Sequence, residues 1–159
     1  MTSVSLVTTR ETNHLIQFDS DGGELRRVQL PDDIEPRHAV ESPTGTFIVS
    51  LLNKQLKQNQ VVEVNTGGEL LRQFSGSRLL PLGEVLYVAV DSHSNIFVAD
   101  NRNSRILLLD AHLSLRRVII DQHRLSYMKP WRLCYREQSG QLLVGFKEPG
   151  VGVAVFDVL

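Results

Sequence analysis

The apolar residues of this chain fall into short runs that are bounded by turn residues. The pattern is clearest in four successive runs, Tyr87–Asp91, Ile96–Asp100, Arg105–Asp110 and Leu115–Ile119. Short runs rich in Val, Ile, Leu and Phe predict β-strands, and no segment shows the 3.6-residue period of a helix. The Asn and Ser residues between the runs favour turns, because their side chains hydrogen-bond to the local backbone.

The same pattern repeats along the chain. The repeated apolar segments end at equivalent polar residues, Asp19, Asn65, Asp110 and Asp157, which lie 45 to 47 positions apart. A flanking segment, Gly22–Leu25, recurs as Gly67–Leu70. A fixed period of this length is typical of repeat architectures in which each unit is one small sheet.

Each complete unit contains four strands, which we label a, b, c and d in chain order. Strands a and b have apolar residues on both faces, whereas strand d alternates apolar residues with Arg, as expected for an outer strand. Four antiparallel strands that repeat in this way predict the blade of a β-propeller, and blades must stack side by side to bury their faces. We therefore expect one all-β domain of 159 residues with about four antiparallel blades and 14 strands. Its units span about 1–30, 34–76, 83–122 and 129–159.

The third unit resembles the NHL repeat family. Tyr87–Asp110 is similar to the family pattern of a strand ending in Ala-Val-Asp, a turn, Asn-Ile-Tyr-Val-Ala-Asp, and then Asn-x-Arg-Ile ending in Asp. Asn13-His14-Leu15 also matches the tripeptide that names the family. The resemblance implies a ring of about six blades that serves as a platform for protein or RNA, as in the C-terminal domain of TRIM-NHL proteins.

The four units would form only part of such a ring. The chain starts within strand b of its first unit and ends after strand c of its last. We therefore expect it to belong to a longer propeller protein, or to a short gene model. Open sheet edges would otherwise favour self-association.

Composition narrows the function further. With 17 Lys and Arg against 18 Asp and Glu, the net charge of −1 disfavours a strongly basic nucleic-acid module. The single cysteine, Cys134, excludes a disulfide framework, a Cys-rich zinc site and a RING domain within this chain, and we expect it to be buried. No apolar run approaches membrane length and no signal peptide begins the chain, so we expect a cytoplasmic protein without a membrane partner.

The expected function is an interaction scaffold that binds a protein partner. The partner would bind at the end of the blades where the starts of the a strands and the b–c turns gather. The candidate partner-binding residues are Lys129, Trp131, Arg132, Arg102, Arg105 and His93. For Arg105 the alternative role is an ion pair with Asp91 or Asp100 that holds its turn. Asp91, Asp100 and Asp110 could suit calcium, but turn capping is the interpretation we favour.

Two other functions stay open. An RNA-binding module would use Lys129 and Arg132 for phosphates and would need aromatic residues to stack bases, for which Tyr127, Trp131 and Tyr135 are the candidates. A metal-dependent lactonase or lyase would need several metal-binding side chains on the a strands, which offer Glu41 and Asp91 but Cys134 and Tyr135 in the fourth unit. We therefore expect a protein that is not an enzyme, with no catalytic residue, metal or cofactor.

Overall fold

The computed structural model describes residues 5–9, 11–147, 150 and 152–158. These residues form 14 strands in four antiparallel sheets, and none of them lies in a helix. The prediction of an all-β chain with 14 strands in four antiparallel sheets is confirmed. No described segment is a helix long and apolar enough to cross a membrane.

Within every sheet, strands that follow one another along the chain are neighbours. The first sheet contains β1 (Ser5–Thr9), β2 (His14–Phe18) and β3 (Glu24–Gln29). The second contains β4 (Ile34–Glu41), β5 (Phe47–Asn53), β6 (Gln58–Val64) and β7 (Leu70–Phe74). The third contains β8 (Val85–Val90), β9 (Ile96–Asp100), β10 (Arg105–Leu109) and β11 (Leu115–Ile120). The fourth contains β12 (Pro130–Arg136), β13 (Gln141–Phe146) and β14 (Gly152–Asp157).

Three apolar clusters hold the four sheets together, one between each successive pair. In β5, Phe47 and Val49 belong to the cluster shared with the first sheet, while Ile48 belongs to the cluster shared with the third. In β9, Val98 packs towards the second sheet and Phe97 towards the fourth. Successive side chains of a strand point to opposite faces, so both faces of each middle sheet are buried by its neighbours.

The a strands β4, β8 and β12 lie on the inner side of the stack. β4 contacts both β1 and β8, and β8 contacts β12. The d strands β3, β7 and β11 lie on the outer side, where most of their residues are exposed. The a strands therefore bring residues from different sheets together.

The fourth sheet buries one face against the third sheet and exposes the other within the described chain. Leu133, Leu142 and Val144 are buried in the shared cluster, whereas Val153 and Val155 are exposed. Cys134 follows Leu133 on the strand and is exposed, so the expectation of a buried thiol is wrong. The reason is the alternation of the strand, which turns Cys134 away from the only described sheet that covers this one.

The hairpin turns share one backbone conformation. In six of them the N–H of the fourth residue donates to the C=O of the first, and the fourth residue has a positive φ. These fourth residues are Gly22, Gly45, Gly68, Ser94, Ser104 and Leu113. A positive φ at the end of a short turn is common in hairpins, because it closes the turn in register with the strands.

Side chains at the first turn position reinforce these turns. One side-chain oxygen of Asp19, Asn65, Asp91 and Asp110 accepts hydrogen bonds from the backbone N–H groups two and four residues later, at 2.7 to 3.0 Å. At Asp110 the bond from Ser114 is the main cause that lowers the pKa of the carboxyl. The interpretation of Asp91 and Asp110 as turn caps is confirmed.

Two equivalent turn glycines provide a test of the sheet packing. Gly22 and Gly68 both have φ near +85°, but a Cβ at Gly22 would meet nothing within 4 Å, whereas a Cβ at Gly68 would lie 2.2 Å from the carbonyl oxygen of Gln29 in the first sheet. We expect Gly22→Ala to lower the free energy of unfolding by about 1 kcal/mol through backbone strain alone. Gly68→Ala should lower it by about 3 kcal/mol or more, since the backbone of the neighbouring sheet must move.

The measurement is urea unfolding of both variants and the wild type, followed by circular dichroism. Equal losses in the two variants would contradict the close approach of the second sheet to Gln29.

Candidate functional site

The b–c turns and the starts of the a strands lie at the same end of the sheets. The side-chain amide of Asn101, in the b–c turn of the third sheet, donates to the carbonyl of Pro130 at 2.9 Å. In the same way Asn13, in the b–c turn of the first sheet, donates to the carbonyl of Asp32 at 3.3 Å. The b–c turns of the first and third sheets thus fix the start of the next a strand, and the prediction that the two gather at one end is confirmed. We call this end the b–c end.

Each a strand contains a β-bulge close to its start. The pairing with the b strand shifts between Pro36 and His38, between Val85 and Tyr87, and between Pro130 and Arg132. The unpaired residues are therefore Arg37, Leu86 and Trp131, which hold equivalent positions in three sheets. Bulges bend a strand and redirect a side chain, and they often lie beside functional sites.

Trp131 is the most prominent of these bulged residues. Its exposed fraction is 37%, and the ammonium of Lys147 lies 4.7 Å from the centroid of its ring. Lys129 and Asn101 line the same cleft. An exposed indole covered by a lysine is a cation–π arrangement that presents both an apolar surface and a positive charge. The structure thus brings Trp131 and Lys129 together and adds Lys147, which sequence analysis missed.

Arg105 has a structural role. Its Nε donates to the fully buried carboxylate of Asp100 at 2.8 Å, and its Nη2 donates to the carbonyl of Pro81 at 2.7 Å. Asp100 also accepts from the side chain of Asn103 at 2.9 Å. The ion-pair interpretation of Arg105 is confirmed, with Asp100 as the partner rather than Asp91.

Arg102 and His93 lie in separate places. Arg102 is exposed in the b–c turn of the third sheet, where it lines a groove with His123 and Tyr127. His93 lies in the a–b turn, at the opposite end of the sheet, where its N–H donates to Asp91. The structure therefore places Arg102 at the b–c end and separates His93 from the other candidates.

Arg132 belongs to a layer of side chains on the a strands. His38, Tyr87 and Arg132 are each the first paired residue after the bulge. The rings of His38 and Tyr87 stack with centroids 3.5 Å apart and planes inclined by 18°, and the N–H of Val88 donates to Nδ1 of His38 at 3.3 Å. Burial, assisted by the positive charge of Arg132, lowers the pKa of His38 to about 4. At neutral pH the imidazole is therefore uncharged.

The aromatic candidates differ in availability. Tyr127 is 60% exposed, but the ring of Tyr135 stacks on Phe97 with centroids 4.9 Å apart. Burial is also the main cause that raises the pKa of the Tyr135 hydroxyl. Of the three residues considered for base stacking, Tyr127 and Trp131 are exposed, although Lys147 lies over the Trp131 ring and His123 makes an edge contact with Tyr127. Among residues 5–9, 11–147, 150 and 152–158, no group of three His, Cys, Asp or Glu side chains is arranged to hold a metal ion.

Comparisons with known proteins bear on the fold. No protein-family model and no curated relative matches the chain. A solved virginiamycin B lyase from Staphylococcus aureus is 13% identical, with a TM-score of 0.62 over 97% of this chain and 52% of its own length. A gluconolactonase from Xanthomonas campestris is 15% identical, with a TM-score of 0.57 over 84% of this chain and 41% of its own. A protein of unknown function from Bacteroides caccae is also 15% identical, with a TM-score of 0.57 over 96% of this chain and 61% of its own.

These neighbours have propeller-type folds, which confirms the predicted fold class, while the number of blades in a complete ring stays a prediction. This chain spans about half the length of the solved structures it matches. The prediction that the chain is not an enzyme is contradicted, because neighbours that share its fold are named as a lyase and a gluconolactonase, and this fold therefore does not exclude catalysis. At these identities the likeness shows the fold alone.

The pKa of His38 gives a test of the inner layer. The unfolded chain protonates this imidazole at an ordinary pKa near 6.5, and the folded chain only near 4. Between these values the unfolded state binds more protons, so the stability that His38 contributes is complete above about pH 6.5 and is lost as the pH falls towards 4. We expect the stability of the wild type relative to His38→Gln to fall by about 2–3 kcal/mol between pH 7 and pH 4.

Urea unfolding of both proteins across this pH range measures the difference and cancels the groups that titrate in both. A difference that does not change with pH would show that folding leaves the pKa of His38 unchanged.

Proposed function

We propose that this chain is an NHL-type propeller segment whose b–c end binds an acidic segment of a protein partner. The observation that carries the proposal is the exposed Trp131 with Lys147 against its ring and Lys129 in the same cleft. Trp, Tyr and Arg dominate the energetics of protein interfaces, because they combine a large apolar area with polar groups.

The resemblance of the third unit to NHL repeats supports the family part of the proposal. The residues that match the pattern have defined structural tasks in this sheet. Asp91 caps the a–b turn, and Asp100 binds Arg105 across the b–c turn. These contacts give Asp91, Asp100 and Arg105 a structural role and require no further role in binding.

The charges at the b–c end favour an acidic partner. Lys129, Lys147 and Arg102 form no ion pair with any residue that the structure describes. Arg37 and Arg105, by contrast, are neutralised by Glu84 and Asp100. Glutamate or aspartate side chains of a partner would meet cations that no described residue pairs with, and complementary charge of this kind speeds association and selects partners.

RNA is the alternative ligand of the same surface. The lysines could contact phosphates, but sequence-tolerant binding of single strands also uses a series of aromatic rings on which bases stack. Because Tyr135 is packed against Phe97, the stacking platform is reduced to Trp131 and Tyr127. We therefore favour a protein partner.

Fluorescence polarisation with a labelled glutamate-rich peptide of roughly ten residues tests the proposal. We expect saturable binding that weakens with salt, and no binding of the glutamine-rich counterpart. Trp131→Ala and Lys147→Gln should each weaken the binding about tenfold, which corresponds to the loss of one central interface contact. Arg26→Gln, which removes an exposed charge from the outer strand β3, is the matched control and should change nothing.

Labelled oligouridylate of similar length is measured in parallel. Tighter binding of the oligonucleotide than of the peptide, lost in Trp131→Ala, would replace the protein partner by RNA. Absence of binding to both probes, or equal weakening by Arg26→Gln, would contradict a specific site at the b–c end.

A further inference from the structure

The layer formed by His38, Tyr87 and Arg132 is distinct from the cleft around Trp131. Its members follow the bulges, and each pairs with the b strand of its own sheet, opposite Ser50, Ala99 and Gly145 respectively. The three residues therefore occupy one level on three neighbouring inner strands. The inference below rests on this layer and does not depend on the proposed partner.

The hydrogen bond to His38 determines which of its ring nitrogens can donate. Nδ1 accepts the N–H of Val88, so this nitrogen carries no proton. A neutral imidazole has one N–H, which must then be on Nε2. No described residue accepts a hydrogen bond from Nε2. His38 thus offers this layer a donor and no free acceptor.

The other two members are donors as well. The hydroxyl of Tyr87 has no hydrogen-bond partner among the described residues, and its ring is held in place by the stack with His38. Arg132 is exposed and forms no ion pair with the described carboxylates. Gly145, opposite Arg132, carries no side chain, and even an added Cβ would lie 3.6 Å from the Cβ of Arg132. Gly145 therefore supplies no side-chain acceptor to the guanidinium.

Nearby carboxylates do not supply the missing acceptors. Glu84 is bound by Arg37, and Glu41 accepts a hydrogen bond from Gln17 at 2.7 Å. Arg37, one residue before His38, even retains a buried Nε without an acceptor among the described residues. His38, Tyr87 and Arg132 thus present donors to this layer, and the positive charge of Arg132 is not paired with any carboxylate that the structure describes. Such a set of groups is complementary to an anion with several oxygens.

We propose that His38, Tyr87 and Arg132 form a binding site for an oxyanion, that is, for the carboxylate or phosphate group of a small molecule. The oxygens would accept hydrogen bonds from Nε2 of His38, the hydroxyl of Tyr87 and the guanidinium of Arg132. A neutral histidine suits this task because it donates a hydrogen bond without requiring a second buried charge. The stack on Tyr87 and the bond from Val88 hold its ring in one orientation.

Long-range ¹H–¹⁵N correlation of the histidine rings at pH 7.5 tests the site directly. The signals of His38 are assigned by comparison with His38→Gln, and they should show the tautomer protonated on Nε2. Addition of inorganic phosphate and, in a separate titration, of acetate should shift the His38 signals to saturation with at least one of the two ions. The preferred ion then distinguishes a phosphate ligand from a carboxylate ligand.

Two variants and a control separate a specific site from general attraction of anions. Arg132→Gln should weaken the binding about tenfold, and Tyr87→Phe, which keeps the stacked ring and removes only the hydroxyl, about fivefold. Arg136→Gln removes the same charge from an exposed position of the same strand, four residues further along, and should leave the affinity unchanged.

Three results would overturn the proposal: a His38 ring protonated on Nδ1, no saturable shift with either ion, or equal weakening by Arg136→Gln. The acidic-peptide assay reports on Trp131 and Lys147 instead, so failure of one proposal is distinguishable from failure of the other.

Discussion

The burial of sheet faces between neighbouring sheets is the interaction on which the structure depends. A strand such as β9 is buried along its whole length, with Val98 against the second sheet and Phe97 against the fourth. A single sheet with apolar residues on both faces cannot hide them alone, so each sheet is stable only beside another. This requirement places the a strands next to one another and collects the b–c turns at one end. The cleft and the inner layer are consequences of that placement.

The bulges change which side chains of the a strands reach the surface of the stacked sheets. Without them, the residues at the start of each a strand would continue the alternation into the clusters between sheets. One extra residue in β12 exposes Trp131 next to Lys147, while the following residue, Arg132, resumes pairing in the inner layer. The two proposed sites are thus adjacent in sequence and differ in location because of a local change in register. The lyase and the gluconolactonase with the same type of fold are enzymes, so in those proteins this fold carries a catalytic site.

Much of the fold could be predicted from the sequence, because strands, turns and the repeat are encoded locally. The caps at Asp91 and Asp110 and the pair of Arg105 with Asp100 lie within one hairpin each, so residue spacing was sufficient to suggest them. The contacts that build the sites join different strands or different sheets. Lys147 reaches Trp131 through the pairing of β12 with β13, and His38 meets Tyr87 across two sheets. The distance of His93 from the b–c end depends on the direction of its strand, and the exposure of Cys134 depends on which sheets cover which faces.

The bulges also determine where a side chain can be replaced without loss of a hydrogen bond between strands. Substitution of a residue that takes no part in the ladder removes no ladder hydrogen bond, provided that the extra residue itself is retained. Positions 37, 86 and 131 already hold a cation, an aliphatic residue and an indole on the same backbone feature. Diversification of recognition in a designed library would therefore be placed at position 131, where the side chain is exposed, rather than at position 37, where a largely buried arginine is paired with Glu84.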